Sequence, residues 1–347
     1  MAMPKESHTT GKSCVLLKYA WVLLCVLLLS SACDPKGSSR SGQELWQQVG
    51  LRGTLIHSIA LSDDTAWAAT NVGLYKRSGT GDWSRLLPGT ELWDVQTSSH
   101  GQEVVAAGNN GDVYISHNTG ATWKIHFLTP LGAYAVTIRP SNPDWILAGA
   151  GGGIFLTTDA GLRWHRVEGL GTSAASAFSW IQGSNSVLAA GAIPGPAGRQ
   201  SPAAVVSHDG GLHWSPLGNG LPSAGVMALA SLPGEGLVAG TMGYGVWVRD
   251  SLSRWRRRST AMPRANDHGA TIVVVPGKSP RIYVGTVGFG VFRSDTAINR
   301  WTSVSDGLPS TDGSRIVLSL AYDAKTHSLL AGTSQGLYEL SLLQQTH

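Results

Sequence analysis

Residues able to do chemistry are sparse in this chain: 22 acids and 11 His among 347 residues. Glycoside hydrolysis needs two carboxyl groups a few ångströms apart, one to protonate the leaving oxygen and one to attack or to activate water. Glu91, Asp267 and Asp312 lie in the connections between apolar runs, with His268 and Arg315 close by the latter two, and they are the candidates for such a pair. Nothing beside them marks a nucleophile or a raised pKa, so solvated loop acids are the simpler reading. Tyr244 and Phe289 could offer rings for stacking. Arg254, Arg256 and Arg258, flanking Trp255, could meet an acidic protein surface or anionic lipid. The same charges could instead guard an outer strand against edge pairing. No two His stand at metal-ligand spacing, so neither a metal nor a cofactor is expected.

Cys14, Cys25 and Cys33 all precede the body of the chain, which excludes a disulfide framework or a catalytic thiol there. Lys5, Lys12 and Lys18 lead into the apolar stretch 19–32, the pattern of a secretory signal. Residues 15–33, interrupted only by Lys18, also approach the roughly 20 residues that span a bilayer, so an uncleaved anchor is the alternative. Leu29-Ser30-Ser31-Ala32-Cys33 resembles the bacterial lipobox, departing from it at Ser30, and the resemblance implies lipidation at Cys33. Residues 1–32 are therefore read as signal or anchor, 33–43 as a polar flexible tether and 44–347 as the folded body, held outside the cytoplasm at a membrane. Without residues 1–32 the chain keeps 23 basic and 21 acidic residues, which argues against a nucleic-acid partner.

The elements that would position these residues follow from a repeat. Trp46, Trp83, Trp123, Trp164, Trp214, Trp255 and Trp301 recur at spacings of 37, 40, 41, 50, 41 and 46. Between them come an apolar run, a small-residue run such as Ala106-Ala107-Gly108 or Ala239-Gly240-Thr241, then Gly and a short stretch with an aromatic, as in Gly153-Ile154-Phe155. Short β-prone runs divided by turn residues at this pitch mean about four antiparallel strands per repeat, the mark of a β-propeller. The last unit, 316–340, stops after three strands, and the lone strand 44–49 is expected to supply its outer strand. The fold expected is all-β: a seven-bladed propeller of four-stranded antiparallel blades, its ring closed by the N-terminal strand. With no opposing sheet edge left over, it is expected to be a monomer.

Three turns precede their Trp in one form: Ser116-His117-Asn118-Thr119-Gly120-Ala121-Thr122-Trp123, Thr157-Thr158-Asp159-Ala160-Gly161-Leu162-Arg163-Trp164 and Ser207-His208-Asp209-Gly210-Gly211-Leu212-His213-Trp214. They resemble the Asp-box, or BNR repeat, of sialidases, xyloglucan-cleaving glycosidases, sortilin-type receptors and photosystem II assembly propellers. Copies at 76–83, 248–255 and 294–301 are eroded. The resemblance implies that Ser116, Asn118, Gly120 and Trp123, Thr157, Asp159, Gly161 and Trp164, and Ser207, Asp209, Gly211 and Trp214 are structural, on the face opposite the usual active site. A sialidase's arginine triad and Phe/Tyr-Arg-Ile-Pro segment have no match here, and the xyloglucan-cleaving enzymes resemble two propellers in tandem. The insertion 193–203 is a possible recognition loop. These readings favour a binding or scaffold protein for a protein partner or an envelope glycan, without turnover. The alternatives are a sialidase- or xyloglucanase-like hydrolase and an assembly factor of the photosystem type.

Overall fold

The computed structural model describes residues 45–168, 175–191, 204–218, 220–222, 225–232, 236–250, 253–258, 269–277, 280–295, 298 and 300–342. Cys33, Asp267, His268 and the insertion 193–203 lie outside them. Among the described residues there is no helix, and so none long and apolar enough to cross a membrane.

Antiparallel sheets of four consecutive strands recur along the chain. The first contains Ile56–Leu61, Thr65–Thr70, Gly73–Ser78 and Ser84–Leu86, and four further sheets repeat that order. A larger sheet holds the remaining eight strands of the described residues. Its two halves join where Val287 and Gly288 pair with Ile316 and Arg315. At its far side the N-terminal strand Gln47–Gly50 lies antiparallel to Gly336–Ser341, Gln47 opposite Glu339 and Gly50 opposite Leu337.

The core lies between neighbouring sheets. Trp67, Ala69 and Leu74 of one sheet meet Leu92, Val95, Val104 and Tyr114 of the next in a single cluster. Leu74 and Leu92 are fully buried, and each such side chain contributes about 1.5–3 kcal/mol. The small residues of the second strands let the sheets come this close. A Cβ on Gly149 would stand 2.1 Å from the Ala175 carbonyl oxygen, and one on Gly332 would stand 2.7 Å from the Ile56 side chain. Where these strands end in Thr, the buried hydroxyl closes the following turn: Thr70, Thr241, Thr286 and Thr333 donate to the carbonyls of Gly73, Gly245, Gly290 and Gly336 at 2.7–2.8 Å.

Candidate functional site

The first strand of a unit would ordinarily alternate inward and outward residues. Six of these strands instead slip register by one residue, between Ile56 and Ser58, Leu92 and Asp94, Ala133 and Ala135, Val226 and Ala228, Gly269 and Thr271, and Val317 and Ser319. A bulge of this kind re-aims the extra side chain. The extra residues are His57, Trp93, Tyr134, Met227, Ala270 and Leu318, and all six line one cavity of about 220 Å³. The slip leaves a trace in the sequence, because buried apolar residues fall three apart where a flat strand would space them by two: Ile56 and Ile59, Leu92 and Val95, Val226 and Leu229, Val317 and Leu320. The strand pattern alone, without this spacing, does not point to the cavity.

Residues next to the bulges tie neighbouring strands across the cavity wall. The Ser58 hydroxyl donates to Asp94 Oδ1 at 2.7 Å, the Val95 amide to the same oxygen at 2.9 Å, and the Val136 amide to Oδ2 at 3.0 Å. One carboxylate thus joins three successive units. Ser319 Oγ accepts the Ile59 amide at 3.0 Å and Thr271 Oγ1 accepts the Leu320 amide at 3.1 Å, so the last unit is bonded to both the first and its predecessor. Charge-assisted bonds like those to Asp94 are roughly twice as strong as neutral ones.

A polar and aromatic cluster stands at one part of the wall. The rings of His57 and Trp93 lie 4.5 Å apart, tilted by 55°. Trp93 Nε1 donates to Asn109 Oδ1 at 3.3 Å, Asn109 Nδ2 donates to Glu91 Oε2 at 2.9 Å, and Glu91 Oε1 lies 3.7 Å from His57 Nε2. Tyr134 donates its hydroxyl to the Leu131 carbonyl, and burial raises its pKa. Of the residues singled out in the sequence, only Glu91 belongs to this cluster.

The others lie elsewhere. Asp312 is an exposed residue at positive φ (50°) in a turn closed by paired bonds between Thr311 and Ser314. Arg315 starts the last first strand, bridged to Phe289, with its Nε buried and without a hydrogen-bond partner. Phe289 is half-buried against the cluster around Val246 and Ile282, whereas Tyr244 is exposed. Arg254 and Arg256 both engage Asp250, the first by its amide at 2.9 Å and the second by Nε at 3.0 Å. Arg256 and Arg257 are exposed and Arg258 is half-buried.

The three Asx-Gly turns share one bonding scheme. The hydroxyls of Ser116, Thr157 and Ser207 accept the amides of Gly120, Gly161 and Gly211 at 2.8, 3.0 and 2.7 Å. Oδ1 of Asn118, Asp159 and Asp209 accepts the amide four residues on, at 2.8, 2.9 and 3.0 Å. The Arg163 amide and the Thr157 hydroxyl lower the pKa of Asp159. For Asp209 burial pushes upward, but the His213 amide and ring and the Ser207 hydroxyl outweigh it and hold the group at about 2. Among the described residues no group of three or more His, Cys, Asp or Glu could hold a metal.

These features define an all-β protein of the β-propeller kind. No family model matches the chain, and no curated protein matches it. Solved structures do. YCF48 bound to a D1 peptide superposes with a TM-score of 0.63 at 13% identity, over 87% of this chain and 98% of that one. The GH74 xyloglucanase from Xanthomonas campestris gives 0.65 at 16% identity, over 88% of this chain and 54% of the enzyme, so the chain spans about half the enzyme's length. At these identities the likeness is one of fold.

Proposed function

We propose that the chain is a seven-bladed propeller of the Asp-box type, closed by its N-terminal strand, and that it binds a protein partner without turnover. In this reading residues 1–33 hold it on the outer side of a membrane, through lipid at Cys33 or as an uncleaved anchor. Closure is supported by the register of Gln47–Gly50 on Gly336–Ser341 and by the bond from Ile59 to Ser319, and the count by five four-stranded sheets and one of eight strands. The Asx-Gly turns, with their carboxylates given over to backbone amides, support the family reading and a structural role for those acids.

The observation that carries the binding reading is the condition of Asp94. It is the one carboxylate among the described residues lining the cavity, and it accepts hydrogen bonds that tie three strands together. A glycosidase acid pair must be free to exchange protons, whereas both oxygens of Asp94 already accept hydrogen bonds from the protein. A protein partner is favoured over an envelope glycan because the YCF48 structure, matched over nearly its whole length, was solved with a peptide bound.

The test is to assay the full-length protein against fluorogenic sialosides and β-glucans while recovering bound partners from membranes of the source cell. We expect no turnover and a co-purifying protein. Hydrolysis abolished by Glu91→Gln or Asp312→Ala would overturn the reading. Fatty-acid labelling that persists in Cys33→Ala would remove the lipid anchor alone.

A further inference from the structure

We propose that two copies of this chain pair edge to edge through the outer strand Lys124–Phe127, antiparallel about His126. The inference goes beyond the binding reading above and stands independently of it.

Ring closure underlies the monomer expected from the sequence. Each outer strand remains an edge all the same, and exposed edges are ordinarily blunted by charge, by proline or by being short. Lys124–Phe127 is the last strand of its sheet. The Leu128 amide donates inward to the Gly111 carbonyl at 3.0 Å, and Phe127 stands opposite Asp112. Antiparallel ladders alternate, so Ile125 and Phe127 turn their N–H and C=O groups outward. In four other units the inward donors are Val167, Leu217, Arg258 and Val304, to the carbonyls of Ile154, Ala204, Val246 and Val291. The outward residue just before each, the counterpart of Phe127, is Arg166, Pro216, Arg257 or Ser303. Two of those edges carry a charge there and one has no N–H to offer. Among the described strands, only Lys124–Phe127 has large apolar side chains that are exposed, Ile125 at 59% and Phe127 at 64%.

The strand is also extended. Trp123 and Leu128 are five residues apart, whereas Trp164 and Val167, Trp214 and Leu217, Trp255 and Arg258, and Trp301 and Val304 are three apart. Two added residues make one full pleat, so the extension keeps every side chain on its face and lengthens only the edge.

The occupant is a second copy because the strand is complementary to itself. Set antiparallel about His126, Ile125 of each copy meets Phe127 of the other. Both pairs are of the hydrogen-bonded kind, which makes four backbone bonds about one two-fold axis. All four apolar side chains fall on one face, and an aromatic ring opposite a β-branched residue is a favourable cross-strand pair. On the other face the two His126 rings meet, each beside Trp164 of its own chain with ring centroids 6.5 Å apart. Burial, with Lys124 and His117 nearby, lowers the His126 pKa, so these rings meet uncharged at neutral pH. A four-residue edge falls short of the roughly 1,200 Å² that stable interfaces bury, so the dimer is weak and reversible and is best read by covalent capture.

The full-length chain would be expressed with Phe127→p-benzoylphenylalanine and illuminated in the cell. The same replacement at Arg166, its counterpart in the next unit, is the control. The expected result is a covalent dimer from position 127, with the cross-link mapped beside Ile125 of the other copy, and none from position 166. Ile125→Lys puts a charge on the edge, and Ile125→Pro removes one outward N–H, as Pro216 already does in its own sheet. Each should lower the dimer yield by roughly tenfold. Because Ile125 is exposed and its amide points away from the sheet, the urea midpoint should hold in both variants. No cross-link, cross-links to other proteins alone, equal yield from position 166, or a yield unchanged in both variants would overturn the pairing. Failure to recover any other partner counts against the binding reading and leaves the pairing untouched.

Discussion

Five of the seven repeated tryptophans are used in two ways. After the Asx-Gly turns, Trp123 and Trp214 are half-buried and donate Nε1 to the carbonyl of their own turn glycine, Gly120 at 3.1 Å and Gly211 at 2.8 Å. For three others the indole goes elsewhere. Trp255 and Trp301 are only 6% exposed and Trp46 2%. Their N–H groups reach past the outer strand of the neighbouring unit, to the carbonyls of Leu217, Arg258 and Val304 at 3.1, 2.6 and 2.6 Å. Glycine in the left-handed region turns its carbonyl under the indole, and without that acceptor the ring satisfies itself between sheets. One residue type therefore secures a local turn in one part of the molecule and stitches separate sheets in another. Trp83 and Trp164 fit neither use, since Nε1 of each is buried with no acceptor, and nothing in the structure explains it.

Truncation separates the two uses most sharply. Trp301→Ala should lower stability by about 3–5 kcal/mol, because it empties a packed site between units and orphans a carbonyl. Trp123→Ala should cost about 1–2 kcal/mol. Equal shifts in the urea midpoint would break the distinction. Next in size is Gly211→Ala. Gly211 has φ +102°, and a Cβ there would meet the Leu147 side chain at 2.7 Å. A cost of about 1–3 kcal/mol is expected from backbone strain of this kind, and a neutral result would mean the turn is not what positions Trp214. The smallest effect is on acid stability. The Asp209 pKa is held at about 2, below its ordinary 3.8. The stability linked to it is fully present above the ordinary value and is lost as pH falls through about 2. Asp209→Asn should flatten the urea midpoint across that window. Asn118→Ala, at the uncharged counterpart, should lower the midpoint equally at every pH.

Much of the strand pattern was legible from Trp spacing, because the ring recurs once per four strands and the turns before it carry Gly. The bonds within those turns follow from residue type alone. The cavity was not read, for a definable reason: a bulge is a backbone event, and His57, Trp93 and Tyr134 look like ordinary members of apolar runs. Their signal was the spacing of the buried residues on either side. Loop acids and arginines, whose charges suggest chemistry, stand out more strongly in the sequence. Asp312 proved to be a turn residue, and Arg254 and Arg256 both face Asp250. Asp267, the acid expected beside Asp312, lies outside the described residues. Sequence pattern thus speaks clearly where a contact is local and faintly where several distant strands must first come together.

The pairing of Gln47–Gly50 with Gly336–Ser341 also sets an order of events. The bond from Trp46 to Val304 spans 258 residues, and that from Gln48 to Gln335 spans 287. A ribosome makes Gln47–Gly50 long before Gly336–Ser341, and the two can pair only once both exist. Until then the growing chain carries an unpaired strand with an indole attached, which invites pairing with the wrong edge. Closing such a long loop adds little entropy beyond closing a shorter one but must come late, so folding should end on a slow, non-local step. The completed chain gains in return. An open row of repeats frays from both sides, whereas Gln47–Gly50 and Gly336–Ser341 cannot loosen separately while they stay paired.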